Sequence, residues 1–163
     1  MQTSHILLLG LVWLIPTVSH AQAKCPWLTE ATARGILGGA VTARVDLKDS
    51  GNGVCEFSRE QGSVVLELRI SVNVMTDISK QFPTYLAQCP PKSTSVPAIG
   101  NEAIMCSVQE RDNRYAEKVV SRVRDQAFVV SVNSTAPEDP SMTQEMRHEK
   151  AHLVAEQVAG ILF

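Results

Sequence analysis

Leu66-Glu67-Leu68-Arg69-Ile70-Ser71-Val72-Asn73-Val74 is the stretch that decides the fold. Aliphatic residues alternate with polar ones from end to end. Successive side chains of a β-strand point to opposite faces, so this period of two puts Leu66, Leu68, Ile70, Val72 and Val74 on a buried face. Glu67, Arg69, Ser71 and Asn73 then lie on a wetter one. A sheet with one wet face is antiparallel, because the crossover helices of a parallel sheet bury both faces.

Working outward, the flanking segments supply the other elements. Thr29 caps a helix over Thr29–Leu37, its hydroxyl positioned to accept from a free first-turn amide, and Gly38-Gly39 ends it. Ala40–Leu47 alternates as a strand, Asp49–Gly53 is a turn cluster, and Val54–Arg59 is a second strand with Cys55 and Phe57 on one face. Beyond the central stretch, Thr76-Asp77 caps a helix carrying Ile78, Phe82, Tyr85 and Leu86, in which Pro83 cannot donate a backbone bond. Cys89–Pro97 reads as a proline-rich loop. Ala103–Val108 is a fourth strand, and Val119–Arg124 and Phe128–Asn133 form a hairpin turning at Asp125-Gln126. Pro140-Ser141 opens a final helix that runs to the C-terminus. The order is helix, three strands, helix, three strands, helix. This is α+β: a twisted antiparallel sheet of five to six strands with two to three packed helices.

The chain has 163 residues, 44% apolar and 20% charged, with a formal charge of −2. That is enough for one domain with a packed core, and bulk charge offers nothing to nucleic acid or an anionic membrane. Residues 1–23 read differently. Ile6–Val18 is an apolar run too short to span a bilayer, broken by Pro16 and followed by Ala21-Gln22-Ala23 as an A-x-A cleavage site. This is the architecture of a secretory signal peptide, although no Lys or Arg precedes the run. Lys24 before Cys25 departs from a lipoprotein signal. The expected mature domain is therefore 24–163, secreted or periplasmic, with no stable membrane insertion after signal removal.

Four cysteines remain, Cys25, Cys55, Cys89 and Cys106, and an even count in an exported chain points to disulfides with three possible connectivities. No C-x-x-C occurs. Cys25-Pro26-Trp27-Leu28 before a helix ending Leu37-Gly38-Gly39, then Gly53-Val54-Cys55-Glu56-Phe57, then Val96-Pro97-Ala98-Ile99-Gly100-Asn101-Glu102-Ala103 entering a cysteine-bearing strand, resembles a class of small exported bacterial domains. They include actinobacterial lipoproteins and the extracellular sensor domain of the kinase PknH. The resemblance implies a twisted antiparallel sheet with helices, two disulfides and a cleft for an unidentified ligand. It implies no catalytic residues. The chain departs from that class in having neither a lipobox nor a kinase domain. Among the connectivities, Cys25–Cys55 and Cys89–Cys106 are expected, since each joins a segment edge to the apolar face of a neighbouring strand.

The Val96–Ala103 stretch is a possible ligand loop, but Pro97 and Gly100 read first as turn punctuation. Lys118, Arg122 and Arg124 fall on one strand face with Arg111 and Arg114 nearby, an anion patch interrupted by Glu117 and Asp125. A solvated sheet face is the simpler reading. Asn133-Ser134-Thr135 is a glycosylation sequon, usable only in a host that modifies such sites.

His148-Glu149-Lys150-Ala151-His152 matches the H-E-x-x-H pattern of zinc peptidases. On a helix, His148 and His152 share a face and can grip one ion while Glu149 polarises its water. Three features weigh against a working site. Glu156 is too far along the helix to be the third ligand, Lys150 brings a positive charge, and the helical wheel sets both histidines beside Glu145, Glu149 and Glu156, away from Ala151, Val154, Val158, Ile161 and Leu162. On this reading HEKAH is a solvent-facing turn, and replacing both histidines costs little. The sequence thus predicts a ligand- or partner-binding module for an unidentified small molecule or protein, with no cofactor and no nucleic-acid partner. The alternative is a small zinc-dependent metallohydrolase using His148, His152 and Glu149.

Overall fold

The computed structural model of the chain describes residues 24–48, 50–110 and 113–163. The expected signal peptide at 1–23 and the basic residue Arg111 lie outside the described residues. The elements run α1 (Glu30–Leu37), β1 (Thr42–Leu47), β2 (Gly53–Gln61), β3 (Val64–Val74), α2 (Ile78–Leu86), β4 (Thr94–Ser95), β5 (Glu102–Gln109), β6 (Tyr115–Val123), β7 (Gln126–Ser134) and α3 (Gln144–Leu162). The architecture is α+β: the described residues form three helices on one antiparallel sheet of seven strands in the order β1-β2-β3-β7-β6-β5-β4.

The seventh strand corrects the expected five to six. Thr94 and Ser95, inside the proline-rich stretch, pair with Met105 and Ile104 of β5. Two residues are too few to show a period, so the strand had no pattern to read. The β6–β7 turn sits one residue earlier than expected, at Arg124-Asp125, and Arg124 takes a positive φ of 54°. The last helix is capped by Thr143, whose side chain accepts from the Met146 amide, and not by Pro140-Ser141. Asp139 captures the Ser141 amide and hydroxyl at 2.9 Å each, which turns that segment back before the helix starts.

The central strand carries Leu66, Leu68, Ile70 and Val72 fully buried, as the alternation requires, but Val74 at its end is exposed rather than buried, because the strand there runs past the core. They share a core with Phe57, Val119, Val123, Phe128, Val130 and Val132 from neighbouring strands. On that face α1 packs against β2 and β3, and α3 against β6 and β7. Helix α3 buries Arg147, Ala151, Val154, Ala155, Val158 and Ala159. Small alanines let the helix axis approach the sheet. Ile161 lies off this path and is 51% exposed, so it is not part of the docking stripe. Each fully buried valine of the stripe contributes on the order of 1.5–3 kcal/mol.

Helix α2 packs on the opposite face. Phe82 joins Met75, Cys89, Cys106, Val120, Ala127 and Val129 in a second, smaller core. The Arg122 guanidinium lies 5.7 Å from the Phe82 ring centroid. Cys25 is bonded to Cys55 and Cys89 to Cys106, with Cα–Cα distances of 5.9 and 5.7 Å. The first staples the N-terminal segment to β2, and the second ties the end of α2 to β5. Each closes a loop, of sequence separation 30 and 17, which by restricting the unfolded chain is worth about 3 kcal/mol. Disulfides of this kind belong to oxidising compartments. Among the described residues no helix is long and apolar enough to cross a membrane.

The Val96–Ala103 stretch is a clamp on β6. The Ser121 hydroxyl donates to the Ile99 carbonyl at 3.0 Å, the Asn101 amide donates to the Arg122 carbonyl at 2.8 Å, and the Asn101 side chain accepts from the Arg124 amide at 2.6 Å. Gly100 makes this approach possible: its φ is +66°, and a Cβ there would sit 2.3 Å from the Arg122 carbonyl oxygen. Gly100→Ala is expected to cost at least about 2 kcal/mol from strain and collision together. Gly160→Ala, in α3 with no atom within 4 Å of the new methyl, is expected to be neutral or stabilising by up to about 1 kcal/mol. Urea-unfolding midpoints of the two variants check this, and equal shifts would refute the clamp.

Candidate functional site

Two polar clusters lie on the sheet, one on each face. The first is under the N-terminal turns of α3. In β6 the alternation sets Glu117, Val119, Ser121 and Val123 toward the helices, so Glu117 enters the core side of the sheet at 2% exposure. It does not belong to the solvated face with Lys118 that the sequence suggested. Its carboxylate is satisfied from α3. The Gln144 side-chain amide donates to Oε1 at 3.1 Å, and His148 Nδ1 lies 3.2 Å from Oε2. Gln144 also donates to the Ser107 hydroxyl of β5 at 3.1 Å.

His148 is therefore more than a solvent-facing residue. Its side chain is 55% exposed, but one edge of the ring closes over a buried carboxylate. An unpaired buried polar group is costly, so this contact sets His148 apart from His152 as a residue whose removal is expected to affect stability. His152 makes no comparable contact; its Nδ1 faces Glu156 at 3.9 Å on the helix surface. Glu149 and Lys150 occupy another side of α3, lining a depression shared with Thr32, Gly35 and Ile36 of α1. Among the described residues, no three His, Cys, Asp or Glu side chains come together as a metal-enclosing group.

Arg147 is the neighbour that sequence reading missed altogether. It is 2% exposed, donates to the Met142 carbonyl at 2.7 Å and reaches the Pro137 carbonyl at 3.4 Å. Burial draws its guanidinium below the usual arginine range, while Glu117 and Asp139 pull it back up. Charged residues inside a helix's buried stripe look like surface residues on a wheel until the loop carbonyls that hold them are known. Glu117 did leave a signal. Running β6 back from Val119 in steps of two puts Glu117 on the buried face.

The second cluster is on the other face, beside α2. Pairing registers line up one row across the sheet: Arg44, Glu56, Arg69, Ser131, Lys118 and Cys106, from β1 to β5. Helix α2 covers the β6–β7 end of this face. Next to it a cleft of about 240 Å³ is lined by Arg69, Ser71, Gln88, Glu110, Lys118, Val129 and Ser131. Arg69 is held by Glu56 at 3.1 Å, and Lys118, with its side chain only 12% exposed, by Glu110 at 3.0 Å. Between the two cations Ser131 is 4% exposed. The next row is closed by an internal network in which Glu67 accepts from Arg114 and from the Asn133 amide, both at 3.1 Å.

This arrangement redraws the basic patch read from sequence. Lys118 and Arg122 share the α2 face, but Arg122 is drawn over Phe82 and toward Glu102 at 3.6 Å. Arg124 is in the β6–β7 turn and leaves the row. Arg69 and Ser131, which no motif marks, take their places. The sequon residue Asn133 is 1% exposed and Ser134 fully buried, so that site is closed in the folded domain.

No family model matches the chain, and no curated protein or solved structure matches it significantly. The chemistry of the two clusters therefore has to carry the functional reading.

The Glu117 contact can be measured by a double-mutant cycle. His148→Ala is expected to destabilise by about 1 kcal/mol, because Glu117 loses one of its two side-chain partners. In a Glu117→Met background the same substitution should cost under about 0.5 kcal/mol, as does His152→Ala alone. An equal cost for His148→Ala in both backgrounds would remove the coupling.

Proposed function

We propose that the chain is an exported binding module, secreted or periplasmic, that holds a small acceptor-rich ligand in the cleft between Arg69 and Lys118. One observation carries the reading: the middle of the open sheet face is enclosed yet polar, with Ser131 and Lys118 as its floor. A sheet face with no ligand is ordinarily finished with apolar packing or with fully solvated charges.

The donor balance points to the ligand class. Lys118 has three N–H donors and Arg69 five, and each is engaged by one carboxylate. Ser71, Ser131 and Gln88 add further polar groups at the rim and floor. A cleft with surplus donors suits a carboxylate or a phosphate ester. The pair of disulfides and the resemblance to exported sensor-like domains support an extracytoplasmic setting. The alternative metallohydrolase needs a third protein ligand beside His148 and His152, and the described residues supply no such group.

Thermal shift against a panel of small carboxylates, amino acids and phosphate esters tests this. At a hundredfold excess over Kd a true ligand stabilises by about 2.7 kcal/mol. Lys118→Met and Ser131→Leu are expected to abolish that shift while the unliganded variants still unfold cooperatively. A ligand that stabilises both variants as well as the parent binds elsewhere, and a panel with no shift on the parent removes the reading.

A further inference from the structure

We infer that His148 and His152 form a two-imidazole chelate for a divalent late transition metal along one flank of α3, at a site separate from the α2-side cleft. Four residues set the stage. Glu145, His148, His152 and Glu156 follow one another at helical spacings of three, four and four, so they form a single stripe along the helix. No basic residue interrupts it. Lys150, whose charge counted against metal binding in the sequence, lines the α1-side depression instead.

Each histidine turns Nδ1 toward a carboxylate: His148 toward buried Glu117 at 3.2 Å, and His152 toward Glu156 at 3.9 Å. A carboxylate within hydrogen-bond distance of Nδ1, as Glu117 is of His148, favours the tautomer with the proton on that nitrogen and leaves the Nε2 lone pair for a metal. His148 and His152 are one helical turn apart, so both rings project from the same flank of α3. Both side chains are open to solvent, 55% and 38% exposed, so water can complete the coordination shell. Neutral imidazole suits Cu²⁺, Ni²⁺ and Zn²⁺ and not Mg²⁺ or Ca²⁺.

The role is binding. Two protein ligands leave the ion mostly hydrated, and Glu149 plays no part in holding it. Glu117 is a positioning residue: it acts on the metal only through His148.

Isothermal titration of the untagged chain with copper(II), zinc and magnesium chlorides at neutral pH is the test. One equivalent of copper and of zinc should bind, copper more tightly, and magnesium should give no isotherm. His148→Ala and His152→Ala should each weaken zinc at least about tenfold, and Glu117→Gln about tenfold through the lost orienting bond. Glu149→Gln should change nothing. Circular dichroism confirms that each variant is folded, and copper(II) paramagnetic resonance of the parent should show two nitrogen ligands that fall to one in His152→Ala. Zinc affinity unaltered in both histidine variants, or no saturable binding to the parent, overturns the site. A loss in Glu149→Gln as large as in Glu117→Gln overturns the orienting role.

Discussion

Nine consecutive residue pairs between β3 and β7, from Leu66 opposite Ser134 to Val74 opposite Gln126, hold the two halves of this domain together. The strands on either side are local. β1, β2 and β3 follow one another as a meander, and so do β4 through β7. Among the described residues, only the β3–β7 ladder joins segments far apart in sequence, and its closure entropy must be met before any of its contacts form. The rest follows from that seam. α1 covers the N-terminal half, α3 covers the C-terminal half, and the apolar residues beneath them meet at Ile70 and Val130.

The same seam places the polar cleft. Arg69 and Ser131 are opposite one another across β3 and β7, so neither half of the sheet contains the site alone. The two disulfides respect this division. One is confined to the N-terminal half and the other joins the turn after α2 to β5. Covalent links therefore stiffen the walls, and the non-covalent ladder aligns them. A site built across such a seam reports on complete folding, since its cations converge only when the longest-range pairing is in register.

Much of the scaffold was legible because it is written in period. Leu66–Val74 shows its face at a glance, Thr29 and Asp77 announce their helices by side-chain capping, and Gly38 ends α1 with a φ of +77°. What was hidden depends on partners distant in sequence. β4 is too short for periodicity and exists only because β5 offers an edge. Arg147 and Glu117 look like surface charges until loop carbonyls and α3 side chains are brought to them. The cleft could not be read at all from the local chain, since Arg69 and Ser131 are ordinary outward-facing positions in two strands. HEKAH shows the opposite case. A conspicuous motif drew attention to Glu149, while the structurally consequential contact is the one His148 makes with a residue in β6.

Burial of Asn133 and Ser134 in the Asn133-Ser134-Thr135 sequon has a consequence for how the chain is made. The Asn133 amide nitrogen that a glycosyl transferase would modify is the same nitrogen that donates to Glu67, deep in the β3–β7 seam. A sugar attached there leaves no room for that bond or for the strand beside it. In a secretory pathway that decorates such sequons on unfolded chains, oligosaccharide addition and seam closure become competing fates. Chains that zip β7 onto β3 first escape modification permanently, and chains modified first are committed to misassembly. The yield of native protein from such a host is then set by a race between an enzyme and a β-ladder, and a host lacking the enzyme has no race to lose.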